Sequence, residues 1–256
     1  MNKDLIIKSL GVKPQPIDNR DFKSLRFTLF TEQLPSSFEL PIKIGIYDQG
    51  SLGSCTANSG LVCFNYEQKQ RSSRSRFKPS RLFLYYNTRA IQGWEAEDSG
   101  AYIRDVFKTL NKEGVCSEVK HPYLIENFAN KPSNSAYKNG KSHTIVKYAA
   151  VNQDLNSLKK TLLSGAAISF GFLVKESFFN SDWQTTNYIV PIPTQSEAMY
   201  GGHAVTIVGY DDVKQCFKIQ NSWGVNWGDN GYFYMPYEMV ISTNDCFDFW
   251  CIEELK

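Results

Sequence analysis

Three residue types in this chain could together break a bond by nucleophilic attack: a cysteine, a histidine and an asparagine, each set in a glycine-rich or tryptophan-rich context. Cys55 lies in DQGSLGSCTANS, straight after a Gly- and Ser-rich turn and at the start of a helix predicted over 54–70. Free backbone N–H groups and the helix dipole at such a position favour the thiolate, so the spacing predicts a lowered thiol pKa. An inert core thiol is the other reading. His203 lies in GGHAVTIVGY, at the mouth of an apolar strand, where Gly201 and Gly202 permit close backbone approach. A lone histidine there can equally be a satisfied structural residue. Asn221 follows in NSWGVNWGDNGY. Its amide can accept from one ring N–H and fix the imidazole tautomer, leaving the other nitrogen for a thiol. Trp223 and Trp227 either fill core or shield that hydrogen bond from water, and the two readings are compatible.

The elements that must hold these residues follow from periodicity. Ala57, Leu61 and Phe64 recur at helical spacing after Ser54. A second helix is predicted from Pro79, a favoured first-turn residue, and presents Leu82, Tyr85 and Tyr86. A third carries Ile103, Val106, Phe107 and Leu110 on one face and ends at Gly114. Residues 126–142 read as a polar connection without periodicity, and a shorter helix over 154–164 stops at Gly165. Extended runs then dominate: AAISFGFLV, HAVTIVGYDD, CFKIQNSW, YFYMPY and FDFWCIEEL. A helical half followed by a β half is an α+β arrangement whose halves can enclose a cleft. Residues 1–33, polar and loop-like with Pro14 and Pro16, read as an extension; globular texture begins at Leu34.

Composition narrows the function classes. With 256 residues, 42% of them hydrophobic, there is material for one broad domain or two half-domains. A net charge of +2 without a dominant basic face disfavours nucleic acid as a partner. The basic run RSSRSRFK at 71–78 is short and serine-rich, and reads as a solvated loop or a surface contact. No run is long and apolar enough for a membrane span. The N-terminal LII is cut by Lys8 and lacks a secretory h-region, so the expected location is the cytoplasm, or a virion if the source is viral. Six cysteines without a C-x-x-C pair, and His121, His143 and His203 scattered among them, predict no metal site. No cofactor is expected, and the chain is expected to act as a monomer.

Taken jointly, QGSLGSC, GGHAVTIVGY and NSWGVNWGDNGYFY, with PSRLFLYYN, SGAYIRDVFKTLNKEGVC and HPY, resemble the papain family of cysteine peptidases from Leu34 onward. The resemblance is to the divergent branch found in bacteria and large DNA viruses. It implies a two-lobed α+β fold, helical over about 45–140 and β-barrel-like over about 141–256, with the site in the cleft between. It implies hydrolysis of a peptide or protein substrate through Cys55, His203 and Asn221, with Gln49 and the Cys55 backbone N–H as oxyanion donors. Gly53, Ser99, Gly100, Gly171, Gly202 and Ala204 then fall at substrate-binding positions. Gly171 replaces a larger residue, which predicts a roomy pocket. Leu52 stands where the family has half of a common disulfide, Thr56 where it has an aromatic, and Ser99 departs from the usual pair with glycine. Acyl transfer to an amine, or a silent binding protein on the same scaffold, remain open alternatives. Residues 1–33 are expected to cross the cleft as an extended inhibitory strand, the alternative being a structural arm packed on the back of the β half.

Overall fold

Helix α2, Cys55–Arg71, is buried on every side over its first twelve residues, Cys55 to Tyr66. A helix so enclosed must satisfy its own polar side chains. Asn58 Nδ2 donates to Ser54 O at 3.0 Å, and Ser59 Oγ meets Ser169 Oγ at 2.6 Å. In this computed structural model, which describes residues 2–26, 33–72, 75–180 and 182–256, α2 lies between the other helices and the sheet. Helices α3 (Arg81–Ala90) and α4 (Ile103–Lys112) pack on its far side. A Cβ on Gly60 of α2 would sit 2.4 Å from Val106 Cγ1 of α4, so glycine sets that approach. Gly114, at φ +72, follows α4 as a left-handed cap.

A short helix, α5 (Asn134–Gly140), lies in the stretch expected to be irregular. Ser133 caps it by accepting from Ala136 N–H, and Tyr137 packs edge-on to Phe83 of α3. Both are local devices that leave no periodicity. After β2 (Ile145–Ala150), α6 (Leu155–Leu163) and β3 (Ile168–Lys175), a turn, α7 (Trp183–Thr186), leads to β4 (Met199–Asp211). Then follow β5 (Cys216–Gln220), β6 (Tyr232–Pro236), the turn α8 (Tyr237–Ile241) and β7 (Cys246–Leu255). The antiparallel order is β2-β7-β3-β4-β5-β6, and β1 (Ser37–Glu39) pairs with the far end of β4. Trp250 of β7 stacks on Phe107 of α4, joining sheet to helices. Among the described residues no helix is long and apolar enough to cross a membrane. Residues 73 and 74 of the basic run lie outside those described.

The N-terminal extension differs from its expected loop character. Its first part is a helix, α1 (Lys3–Ser9), capped by Asn2 Oδ1 on Leu5 N–H at 2.9 Å and buried through Ile6 and Ser9. With Leu, Ile and Ile contiguous, its sequence shows no helical spacing. Residues 10–13 are extended. Beyond Pro14 the chain docks on the β half: Gln15 N–H donates to Asp248, and Lys23 forms a parallel bridge with Ala150 at the end of β2. Residues 27–32 lie outside the described part.

Candidate active site

Cys55 is the first residue of α2, and Ser54 before it makes no side-chain cap to the helix's first N–H groups, of which that of Thr56 favours the thiolate. Ser54 Oγ instead bonds Tyr123 OH at 2.6 Å; since that hydroxyl donates to Gln49 O at 2.9 Å, Ser54 is the donor. Leu52, at the half-disulfide position, is buried as an apolar plug, and Thr56 is buried with its hydroxyl making no hydrogen bond among the described residues.

His203 lies on β4 opposite Phe172 of β3 and is fully buried. Its Nε2 donates to Asn221 Oδ1 at 2.8 Å, which leaves Nδ1 buried, carrying the lone pair and without a hydrogen bond among the described residues. Trp223 lies nearly parallel to the imidazole, with centroids 4.4 Å apart, and so covers the His203–Asn221 bond. Trp227 packs behind it with Trp183 and Phe233, in the core.

Gln49 is fully buried. Its Oε1 accepts from Ser222 Oγ at 2.6 Å, which fixes the amide so that Nε2 faces the site. Nε2 donates to Leu52 O at 2.8 Å and to Ser9 O of the N-terminal segment at 2.9 Å. Ser222 was not singled out from the sequence; its position beside Asn221 in NSW is the signal.

The N-terminal segment runs through the groove between this turn and the start of β4. Ala101 N–H donates to Gly11 O at 2.7 Å, Lys13 N–H to Ala101 O at 3.2 Å, and Val12 N–H to Gly202 O at 3.2 Å. The backbone that takes the extended chain is therefore Ala101 and Gly202, with Ala101 one residue beyond the Ser99–Gly100 pair. Gly100 N–H turns inward to Tyr85 OH, and Ser99 Oγ bonds Gly100 O. The passage is narrow. A Cβ on Gly11 would lie 1.9 Å from Gly53 O, and one on Gly202 would lie 2.5 Å from Val12 O. Gly171 pairs with Ala204 across β3 and β4, but the room it was expected to leave is taken by the Phe247 ring, 2.5 Å from a Cβ there. His121 and His143 stand apart from this group, the latter stacked on Phe77.

Burial governs the charges. It pushes the Cys55 thiol up to about 11, against backbone N–H groups of Ala204, Gly11 and Thr56 that favour the thiolate. It lowers His203 to about 4, against the Asn221 bond. While the groove is filled, burial thus works against the acidic thiol expected from the helix start.

Comparisons with known proteins fit this geometry. The Papain family cysteine protease model matches residues 40–246. Xylellain, a cysteine protease from Xylella fastidiosa, superposes with a TM-score of 0.88 at 38% identity, over 97% of each chain. A peptidase C1-like protein of Acanthamoeba polyphaga mimivirus is 43% identical over 224 residues, 84% of this chain and 72% of that protein. A cathepsin B-like protein, CP2, of Giardia intestinalis is 28% identical over 78% of this chain and 65% of its own length. The chain belongs to the papain family of cysteine proteases. It has the family's α+β fold and is a cysteine peptidase whose substrates are peptides or proteins.

Proposed function

We propose that Cys55, His203, Asn221 and Gln49 carry out peptide hydrolysis, and that residues 2–13 close the site until they are displaced. Cys55 gives its proton to His203 Nδ1 and its sulfur attacks the substrate carbonyl. Gln49 Nε2 and the Cys55 N–H stabilise the oxyanion, a role worth about 10²–10³ in rate for one such donor. His203 returns the proton to the leaving amine, and water then cleaves the thioester. The Asn221 bond supports this by holding Nε2–H away from sulfur, and Ser222 supports it by orienting Gln49.

The observation that carries the closure is the Ser9 carbonyl on Gln49 Nε2, where the developing oxyanion would sit. With Ala101 and Gly202 also bonded to the segment, peptide backbone fills the places a substrate needs. The two readings of the extension then divide between its parts: residues 2–13 block, and residues 15–26 are the structural arm. The test compares kcat/KM of the full chain with that of a chain beginning at Gln15. A large gain on removal supports closure, and equal rates for two equally folded proteins discard it. Cys55→Ala must abolish turnover, by a factor on the order of 10⁶, with the fold intact; Cys63→Ala, on the same helix, keeps it.

A further inference from the structure

The turn that carries Cys55 and the strand that takes extended backbone are not joined by a disulfide, all six cysteines being free. They are joined by Asp98. Gly53 N–H, two residues before Cys55, donates to both carboxylate oxygens of Asp98 at 3.1 Å. Tyr85 OH donates to Asp98 Oδ1 at 2.6 Å and accepts from Gly100 N–H at 3.1 Å. Burial and the adjacent carboxylate raise the Tyr85 phenol far above its usual range, so it is always a donor toward Asp98. The support behind this link is stiff. Buried Arg89 lies 4.0 Å over the Tyr85 ring and donates to the carbonyls of Glu95 and Glu97, which shapes the loop leading into Asp98.

The gap spanned by the link is the narrowest part of the passage. Gly11 of the N-terminal segment lies in it: a Cβ on Gly100 would meet Gly11 O at 1.9 Å, as one on Gly11 would meet Gly53 O. A change of 1 Å between Gly53 and Gly100 would move the nucleophile relative to any chain bound on Ala101. Electrostatically, Asp98 is a poor neighbour for a thiolate, since its charge raises the Cys55 pKa. Its benefit must therefore be geometric. The carboxylate holds a backbone N–H and a phenol together, Oδ1 accepting from both and Oδ2 from Gly53 as well, while Tyr85 stays free to accept from Gly100.

We propose that Asp98, acting through Gly53 and Tyr85, is a positioning residue for hydrolysis that fixes the spacing between the Cys55 turn and the substrate-binding backbone of Gly100–Ala101. The proposal rests on Cys55 being the nucleophile.

The test uses the full chain carrying Gly11→Val, which cannot seat its own segment in the gap, and reads ratios to that parent. Asp98→Ala should lower kcat by about 10²-fold, the scale of a misplaced reacting group, while KM moves less than about threefold. Tyr85→Phe, which keeps the Gly53 bond, should cost about tenfold in kcat. Asp98→Asn separates geometry from charge. Its turnover should fall, because the amide lacks the second accepting oxygen on Gly53 N–H and holds both partners by weaker, neutral bonds. Alkylation of Cys55 by iodoacetamide at pH 7, followed by mass spectrometry of the Cys55 peptide, should quicken about threefold, because the neighbouring charge is gone. Asp98 is the charged group acting on that thiol, and the alkylation pH profile should move to lower pH in this variant but not in Tyr85→Phe. A merely structural aspartate would lower melting temperature and slow both reactions together. Unchanged or higher kcat in folded Asp98→Asn and Tyr85→Phe overturns the proposal. Turnover surviving Cys55→Ala in the same parent would instead sink the underlying assignment.

Discussion

The two parts of the N-terminal extension hold on by different means. Residues 9–13 are gripped through backbone, by Gln49, Ala101 and Gly202, in a passage so close that Gly11 has no room for a Cβ. Residues 15–26 add charged side chains to a single backbone bridge, in which Ser24 N–H donates to Ala150 O and Ala150 N–H to Phe22 O at 2.8 Å. Arg104 reaches the Pro16 carbonyl and Asp21 at 2.8 and 2.5 Å. Arg26 donates to the carbonyls of Ile252 and Glu253 and pairs with Glu67 and Glu253. Backbone contacts of the first kind accept many sequences, as the groove of the proposed site would require. Arginines of the second kind, Arg104 buried and Arg26 half-buried, tie one sequence to one place, and removing either partner leaves a charge largely withdrawn from water.

The contrast predicts opposite outcomes for single substitutions. Gly11→Val should eject the front half. Overpacking a site of this kind costs about 1–3 kcal/mol, so peptidase activity of the full chain should rise by about 10–10²-fold with melting temperature little changed. Arg26→Ala should do the reverse. It leaves Glu67 and Glu253 unpaired, so chemical denaturation should show a loss of about 3 kcal/mol, with activity within about twofold of the parent. If Arg26→Ala activates and Gly11→Val does not, the division between blocker and arm is drawn in the wrong place.

A pH experiment sharpens the same line. His203 in the filled groove stands at about 4 against an ordinary 6.5, so below pH 6.5 the unfolded chain takes a proton that the folded chain refuses. Its contribution lowers stability as pH falls from 6.5 to 4, by up to about 1.4 kcal/mol per unit. His203→Gln should flatten that slope in thermal denaturation across the interval. The smallest effect belongs to Lys3, which reaches Glu176 and Tyr200 from an exposed position on α1. Lys3→Ala should alter activity by less than about twofold at physiological salt; a larger gain would show that α1, not the passage at Gly11, holds the front half down.

How much of this could be read in the sequence depends on the range of the interaction. Helix α2 was readable because Ala57, Leu61 and Phe64 keep helical spacing, and β3 and β4 because strands buried on both faces appear as continuous apolar runs. The Cys, His and Asn blocks were found as motifs. The helix-start argument for an acidic thiol was sound locally and failed because residues forty and more positions away cover Cys55. Gly171 failed the same way, its space being filled by Phe247 from another strand. Asp98 and Gly11 were missed, and Tyr85 was read only as one face of the second helix: each acts through partners that folding brings together. A glycine between Leu10 and Val12 was the one local hint of a close passage.

The anchoring of Arg26 and Arg104 has a further consequence, one of local concentration. If residues 2–13 block as proposed, then being tied at their C-terminal side to the body they block makes rebinding an intramolecular event, at an effective concentration in the millimolar range for a short connection. Dilution cannot release them, and displacement by a substrate is reversible. A cut between Lys13 and Gln15 changes only covalent continuity and leaves every other contact in place, yet it turns the front half into a separate peptide whose grip then falls with dilution. On the closure proposed above, one bond in that short stretch separates a self-resetting block from one that dilution relieves.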